Sequence, residues 1–477
     1  MTQETSQGIE TFTKQLEYKQ KILSSPYYKY QKLPPQSAAA VQITTTGGND
    51  SVFELPPKVF NLARSFVTFI LNPPAGTNVN FMHLGAITPF QQVQVISKTT
   101  GKLLMDLSQF QNFTKVIFQS AISQEEFLNQ DLAYNNRGIV TFLRSCNSPN
   151  ITITTAAPPV TNASFITPGS YGLRVIDSSP VFEYYNEQSY SEVGTAATAD
   201  PIFYCKIPLG LIKESILEVD KDLFFNDVIQ IRFVWGTLNK VGFNGVLATP
   251  STVNTTAAFS GPINVINLNM YLAVEENQEL AKQIKETVMT KGIAVQIPYP
   301  TAVRNTITNN SQHNITLLMN QTHGSRLMKI YHCMLENDGA NNPTEQLNLA
   351  YNFNLSGNAI AAGSYFYCML DSERIENYNI NVTNYEDWLF IQDKIKNSIT
   401  YCSGIYRYNW FWIEDFSTVN ANSSENEDSD IRGLEMGNGH RFDFQYNAGG
   451  GVISAIHYDY IIGQKTLTLT ANGPYLQ

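Results

Sequence analysis

Charged side chains are scarce in this sequence. Asp, Glu, Lys and Arg supply only 15% of its 477 residues, where soluble domains average about 25%. So little charge suits a β-protein largely covered by copies of itself, and equally an extracellular lectin-like one. What charge there is leans negative: 41 acidic against 31 basic residues give a formal net charge of −10. Nucleic-acid phosphates repel such a chain, which excludes wholesale genome coating and leaves that role to local basic patches. Cysteine is sparse too. Cys146, Cys205, Cys333, Cys368 and Cys402 are odd in number, widely spaced and never in a C-x-x-C pair. Neither a zinc cluster nor a disulfide framework is indicated, and they read as reduced, mostly buried small hydrophobes. The first ten residues have neither the charged nor the apolar region of a secretory signal. No apolar run approaches the length of a membrane span. Asn-x-Ser/Thr triplets such as those at Asn112, Asn254 and Asn381 then follow from abundant Asn and Thr, and synthesis in the cytosol is expected.

Apolar material, by contrast, is ample. Hydrophobic residues make up 43% and aromatics 12%, enough for large cores, and the length predicts two or three domains. From about residue 40 a period of two dominates. Ile229, Ile231, Phe233 and Trp235 alternate with Gln230, Arg232 and Val234; Ile266, Leu268, Met270 and Leu272 alternate with Asn267, Asn269 and Tyr271. Such alternation puts one row in a core and the other on the opposite sheet face. Residues 64–71 are apolar on both faces, which predicts a strand covered on both sides. Runs at 93–97 and 103–107 flank Lys98-Thr99-Thr100-Gly101, whose glycine can supply the positive φ of a tight hairpin. The second half repeats the pattern at Leu347–Leu355, at Phe442, Phe444 and Tyr446, and at Leu467 and Leu469. Strands separated by long, polar, Pro/Gly-rich connections predict sandwiches with elaborated loops.

One helix stands out between the halves. Residues 274–289 are rich in helix formers, and Leu280, Ile284 and Val288 recur every fourth position to give one apolar face, with Gly292 as the stop. Shorter helices are predicted at 123–132 and 385–396. Residues 1–36 differ from the rest: Ile9, Phe12, Leu16 and Ile22 fall near helical spacing among Lys14, Lys19 and Lys21, broken at Pro26 and at Pro34 and Pro35. Either a partly disordered tail or an arm leaving the barrel to pack on neighbours fits that pattern.

This order of segments resembles a known family. The run CKIPLGL from Cys205, then VDKDLFF from Val219, then the strand at 228–235 is similar to the first domain of double jelly-roll major capsid proteins. Within the adenovirus and nucleocytoplasmic large DNA virus lineage, the likeness is greatest to polinton-like viruses and virophages. There, as here at Asn267–Met289, the last strand of the first barrel runs into an acidic amphipathic helix. LNLAYNFNLSG from Leu347, followed by Tyr365-Phe366, resembles an element of the second domain, as do two closing strands and a Gly-containing tail at Gly473. The resemblance spans about residues 40–477 and implies an all-β fold of two tandem eight-stranded jelly-roll sandwiches joined by the helix. The expected parts are an N-terminal arm at 1–36, a first jelly roll at 37–274, a connector at 275–291 and a second jelly roll at 292–477. It also implies homotrimers that tile an icosahedral virion shell as pseudo-hexagonal capsomers. Neighbouring capsomers, a pentameric vertex protein and minor capsid proteins would be the partners. The arm would contact an internal membrane, minor proteins or the genome, and the protein would be made in the host cytoplasm.

Catalytic and ligand patterns are weak beside this. His83, His313, His323, His332, His440 and His457 form no H-x-x-x-H or H-E-x-x-H arrangement, and His332-Cys333 lacks a nucleophile signature, so all read as packing or surface residues. Asp220-Lys221-Asp222 lacks the later ligands of a calcium loop and reads as a solvated turn. The run 425–430 reads as an exposed loop tip. Glycines 449–451 lack the Lys-Ser/Thr of a phosphate loop and predict a flexible hairpin. The aromatic stretch 406–412 is either barrel core or a buried contact with the other barrel or a neighbour. No catalytic, cofactor or metal residue is assigned. A receptor- or carbohydrate-binding sandwich of a virion spike is the alternative, with an enzyme on a jelly-roll scaffold third.

Overall fold

The computed structural model describes residues 10–11, 27–36, 41–72, 79–81, 89–121, 123, 173–174, 183–184, 203–238, 242–244, 261–336, 363–382, 386–395, 410–417, 433–451 and 453–477. The runs at 347–355 and 425–430, residues 406–409, Cys146 and Cys402 lie outside them. In chain order the first strands are β1 (Glu10–Thr11), β2 (Tyr28–Leu33), β3 (Val41–Ile43), β4 (Asp50–Leu55), β5 (Val59–Asn72), β6 (Val79–Phe81), β7 (Phe90–Ser97) and β8 (Leu103–Ser108). After the helix Phe110–Ser120 come β9 (Leu173–Arg174), β10 (Glu183–Tyr184), β11 (Phe203–Pro208), β12 (Asp222–Phe224), β13 (Ile229–Trp235), β14 (Gly242–Asn244) and β15 (Ile263–Glu275). Beyond the helix Gln278–Thr290 follow β16 (Ile293–Asn310), β17 (Gln312–Met319), β18 (Arg326–Glu336), β19 (Tyr365–Leu370), β20 (Glu373–Arg374) and β21 (Ile380–Asn381). The last are β22 (Phe411–Asp415), β23 (Leu434–Glu435), β24 (His440–Asn447), β25 (Ile453–Thr470) and β26 (Gly473–Leu476).

These strands make two sandwiches. In the first, a sheet ordered β11-β5-β15-β2, with β12 on β5 and β3 on β15, faces the sheet β4-β13-β7-β8. In the second, β1-β16-β25-β18-β22, with β23 on β18 and β26 on β25, faces β17-β24-β19-β20 with β21 on β19. Short β3, β12, β21, β23 and β26 extend these sheets, and β6 with β14 and β9 with β10 form two further two-stranded ones.

Alternation builds the first core. On β13 every second residue, Ile229, Ile231, Phe233 and Trp235, is buried, and Trp235 Nε1 donates to the buried Ser51 Oγ at 2.9 Å. Phe69, Phe90, Phe233 and Trp235 meet ring to ring at 4.8 to 5.8 Å. Each such side chain, fully buried, contributes on the order of 2 kcal/mol or more before its entropy cost.

Three strand expectations need correction. β5 is not covered on both sides: Val67, Phe69 and Leu71 are buried, whereas Phe66, Thr68 and Ile70 are half-exposed. Its outer row is shielded by rings instead, with Phe66 lying 5.2 Å from Tyr30 and 4.9 Å from Tyr271. On β15 the core row changes phase. Asn267 has φ 55° and the register slips between Ile266 and Asn269, so Ile266 turns outward while Val265, Leu268, Met270 and Leu272 point in. An extra residue at a bulge reverses the facing of everything before it. Finally, the chain's closing strands are one long strand, β25, that returns as a hairpin into β26. Glycines 449–451 likewise form no hairpin within a sheet; their turn carries the chain from β24 in one sheet to β25 in the other.

The connector helix keeps its predicted face, with Leu280, Ile284 and Val288 buried. It starts later than the sequence suggests, because β15 runs on to Glu275. Asn277 caps it, accepting at Oδ1 from the backbone N–H of Glu279 and Leu280 at 3.2 and 3.3 Å. Gly292, at φ +79°, ends it. A helix does occupy Glu386–Ile391, followed by a 3-10 turn at Gln392–Lys394, as expected for 385–396. Near the first predicted short helix, the helix lies earlier, at Phe110–Ser120, burying Phe110, Phe113, Val116 and Ile117; all of 123–132 but Ser123 is outside the described residues. Of the segment expected to be an arm, residues 28–33 are instead β2, an edge strand paired with β15 from Met270 to Glu275. Cys205, Cys333 and Cys368 are buried thiols outside any disulfide.

Candidate functional site

The two sandwiches meet along a buried seam, and the period of two explains how the second one reaches it. Tyr331 on β18 and Tyr460 on β25 are direct partners, as are the next pair along, His332 and Asp459. Neighbouring pairs face opposite sides of a sheet. The tyrosines therefore point out toward the first sandwich, and His332 and Asp459 point into the second core. Tyr331 and Tyr460 are nonetheless almost fully buried, because the first sandwich covers them. Phe113 of the helix Phe110–Ser120 packs edge-on to Tyr460 at 5.2 Å, and the Tyr460 hydroxyl donates to the Gln109 carbonyl at 3.1 Å. Glu214 accepts from Lys329 Nζ at 2.8 Å and from the Tyr331 hydroxyl at 3.0 Å. At the rim, Asn226 Nδ2 donates to the Ala471 carbonyl at 2.5 Å.

Two of the seam residues, Gln109 and Glu214, have φ 55°, a left-handed backbone uncommon outside glycine. Strain of that kind persists where surrounding contacts over-determine it; here those contacts come from the opposite sandwich. Electrostatics follow from enclosure. Burial pushes the Glu218 carboxyl up to about 7, and the neighbouring Glu214 carboxylate adds to the rise. Burial alone would lower Lys329, but Glu214 more than offsets it and holds the ammonium above its ordinary range.

A second cluster ties β2 to the base of the connector. The Tyr28 hydroxyl donates to Asp222 Oδ1 at 2.8 Å, and Arg64 grips Asp220 with two nitrogens at 2.9 and 3.1 Å. Glu275 Oε1 accepts from the backbone N–H of Tyr27 at 3.1 Å and of Asn277 at 2.7 Å. The expected solvated turn at Asp220-Lys221-Asp222 is thus only half right. Asp220 is exposed, whereas Asp222 is buried and its carboxyl pushed up to about 6, first by burial and then by Glu275.

The third cluster is the buried one. His332 Nδ1 and His457 Nε2 lie 2.6 and 2.9 Å from the same oxygen, Asp459 Oδ1, and none of the three side chains has any exposure. The His332 ring stacks on Phe442 and Phe444 of the facing sheet at 5.3 and 5.1 Å. His313 on β17 approaches His457 from that side, ring centroids 6.3 Å apart. Burial alone would raise Asp459, yet the two imidazoles hold it well below the usual carboxylate range. Burial and the neighbouring His457 push His313 down to about 4. The histidines were read singly as packing residues, and nothing joined them. The one legible signal is His457-x-Asp459, two residues apart on a strand and so on one face; His332 enters only through register. Cys333, beside it, alternates away.

Of the aromatic stretch, residues 410–412 are described: Trp410 and Trp412 face the second core, and Phe411 lies on the sheet face that Tyr331 shares. Trp410, Phe411, Trp412 and Ile413 are all buried, and both tryptophans pack edge-on to Phe366 at 5.7 and 5.0 Å inside the second sandwich.

No family model and no curated protein sequence matches the chain. Its fold does match solved structures. It is similar to a chain in the 3.5 Å cryo-EM structure of the Sputnik virophage, at 11% identity and TM-score 0.50, covering 100% of this chain and 90% of that one. It is similar to PBCV-1 VP54 as fitted into a reconstruction of Sputnik, at 8% identity and TM-score 0.50, covering 94% and 97%. The mavirus major capsid protein matches at 10% identity and TM-score 0.49, over 94% and 90%. With paired sandwiches, a connecting helix and the two neighbours at TM-score 0.50, the fold of this chain is that of the double jelly-roll major capsid proteins.

Proposed function

We propose that this chain is a major capsid protein, forming homotrimeric, pseudo-hexagonal capsomers in an icosahedral virion shell. The observation that carries the reading is the seam. Two sandwiches of like kind are held side by side by buried contacts, so one chain supplies two similar units in a fixed relation. Three such chains about a three-fold axis place six similar units around it, and a near-hexagonal tile packs a surface with few distinct contacts. Repetition then lets modest contacts per tile sum to a stable lattice. The role is structural, with no catalysis, and its place is the virion. Neighbouring capsomers, a pentameric vertex protein and minor capsid proteins are the partners, and the N-terminal segment before β2 faces them or an internal membrane or genome.

Light scattering on the purified chain tests this. A particle near three times 53.4 kDa is expected, and negative-stain images should show hexagonal outlines. A clean monomer at micromolar concentration with no larger assembly would overturn it. For the carbohydrate- or receptor-binding alternative, Trp410 and Trp412 offer no glycan platform, being enclosed.

A further inference from the structure

We propose that His332, His457 and Asp459 are a binding site for a divalent transition-metal ion of the zinc class, inside the second sandwich. The inference stands on this cluster alone and does not depend on the capsid reading.

The geometry is of donors converging on one point. The three donor atoms, one each from two imidazoles and a carboxylate, lie within 4.8 Å of one another. Both imidazoles crowd onto Asp459 Oδ1, while Oδ2 has only Asn305 Nδ2 at 3.4 Å. His457 Nε2, although 2.9 Å from Oδ1, is not aimed to make a well-formed hydrogen bond with it. A cation shared with the carboxylate would take the lone pair of that nitrogen and, in exchange for its 2.6 Å hydrogen bond to Oδ1, that of His332 Nδ1.

Charge balance favours the same occupant. With both imidazoles neutral, the dry core holds one uncompensated carboxylate; with one protonated, it holds an N–H that lacks an acceptor. A divalent cation removes the first problem and takes neutral imidazole nitrogen and carboxylate oxygen, the donor set that suits zinc. Across the core, His313 offers an Nε2 that is buried and without a hydrogen-bond partner, from the facing sheet. Its donor atom lies outside the group of three that are within 4.8 Å of one another, so we assign it as a fourth donor, which its ring supplies by turning toward the ion. An ion so held would fasten β18 to β25, and both to β17 of the opposite sheet.

The full-length chain, stripped with a chelator and desalted, is loaded with zinc or with cobalt(II). About one zinc ion per chain should be retained, cobalt should give the strong visible bands of a tetrahedral site, and added zinc should raise the melting temperature. His313→Ala, at a half-buried position, should weaken zinc binding by about tenfold or more while the chain stays folded. Asp459→Asn should abolish retention. Should that variant fail to fold, the wild-type cobalt spectrum and the His313→Ala titration still decide. No retained zinc and a featureless cobalt spectrum in the wild type would overturn the site. So would zinc retention unchanged in a folded Asp459→Asn chain, which would place the metal on histidines outside the cluster, such as the half-buried His323 or His440.

Discussion

At the scale of single residues, enclosure by the seam sets the chemistry of Glu218. Its carboxyl rises from an ordinary 4.5 to about 7 in the folded chain. Between those values the folded protein holds a proton that the unfolded chain releases, so stability is greatest below pH 4.5 and this contribution is lost as pH rises through 7. Glu218→Gln should flatten that part of the profile, raising the melting temperature at pH 8 relative to wild type and changing it little at pH 5. An unchanged slope between pH 5 and 8 would show that Glu218 stays ionised and solvated. Nothing in the residue order singles out Glu218; enclosure at the seam, beside Glu214 and Lys329, removes its water. Asp222 is hidden by β2 and the base of the connector, which its sequence neighbours do not announce, whereas the burial of Trp235 follows from its place in an alternating row.

Elements were more legible than the pairings among them. The β13 row, the connector face of Leu280, Ile284 and Val288, and the Lys98–Gly101 hairpin between β7 and β8 all stand as the residue pattern predicts. Local periodicity carries that information because it is the exposure pattern itself. A bulge such as that at Asn267 adds one residue without changing composition, so alternation alone misplaces Ile266. The arm illustrates the other failure. Prolines at 26, 34 and 35 mark its breaks, but the strand between them, β2, is stabilised by pairing with β15, far away in sequence. Deleting residues 1–26 removes only the two-residue β1 from the edge beside β16 and should leave the chain folded, whereas deleting 1–36 should also remove β2, expose the edge of β15 and break the Tyr28–Asp222 link. Circular dichroism and melting temperature on the two truncations check this: only the longer one should melt early or aggregate.

The whole molecule depends on the seam acting as one joint. Phe113, Tyr331 and Tyr460 close it, and Glu214 receives two donors from the other side. Phe113→Ala should open a cavity there at a cost of about 3–5 kcal/mol. Calorimetry should then resolve a single unfolding transition into two, one per sandwich, as the coupling between them weakens. Persistence of one transition at the wild-type temperature would mean that the sandwiches are coupled elsewhere.

From the residues alone, two blocks of half-buried strands and a one-faced helix between them were fixed, because a period of two and a period of four are written directly in side-chain order. Which strand lies beside which, and so which side chains share a face across more than a hundred residues, was decided only by the three-dimensional pairing. Tyr331 beside Tyr460 makes the seam, and His332 beside Asp459 makes the buried cluster. Both juxtapositions are consequences of register, a long-range property with no local trace.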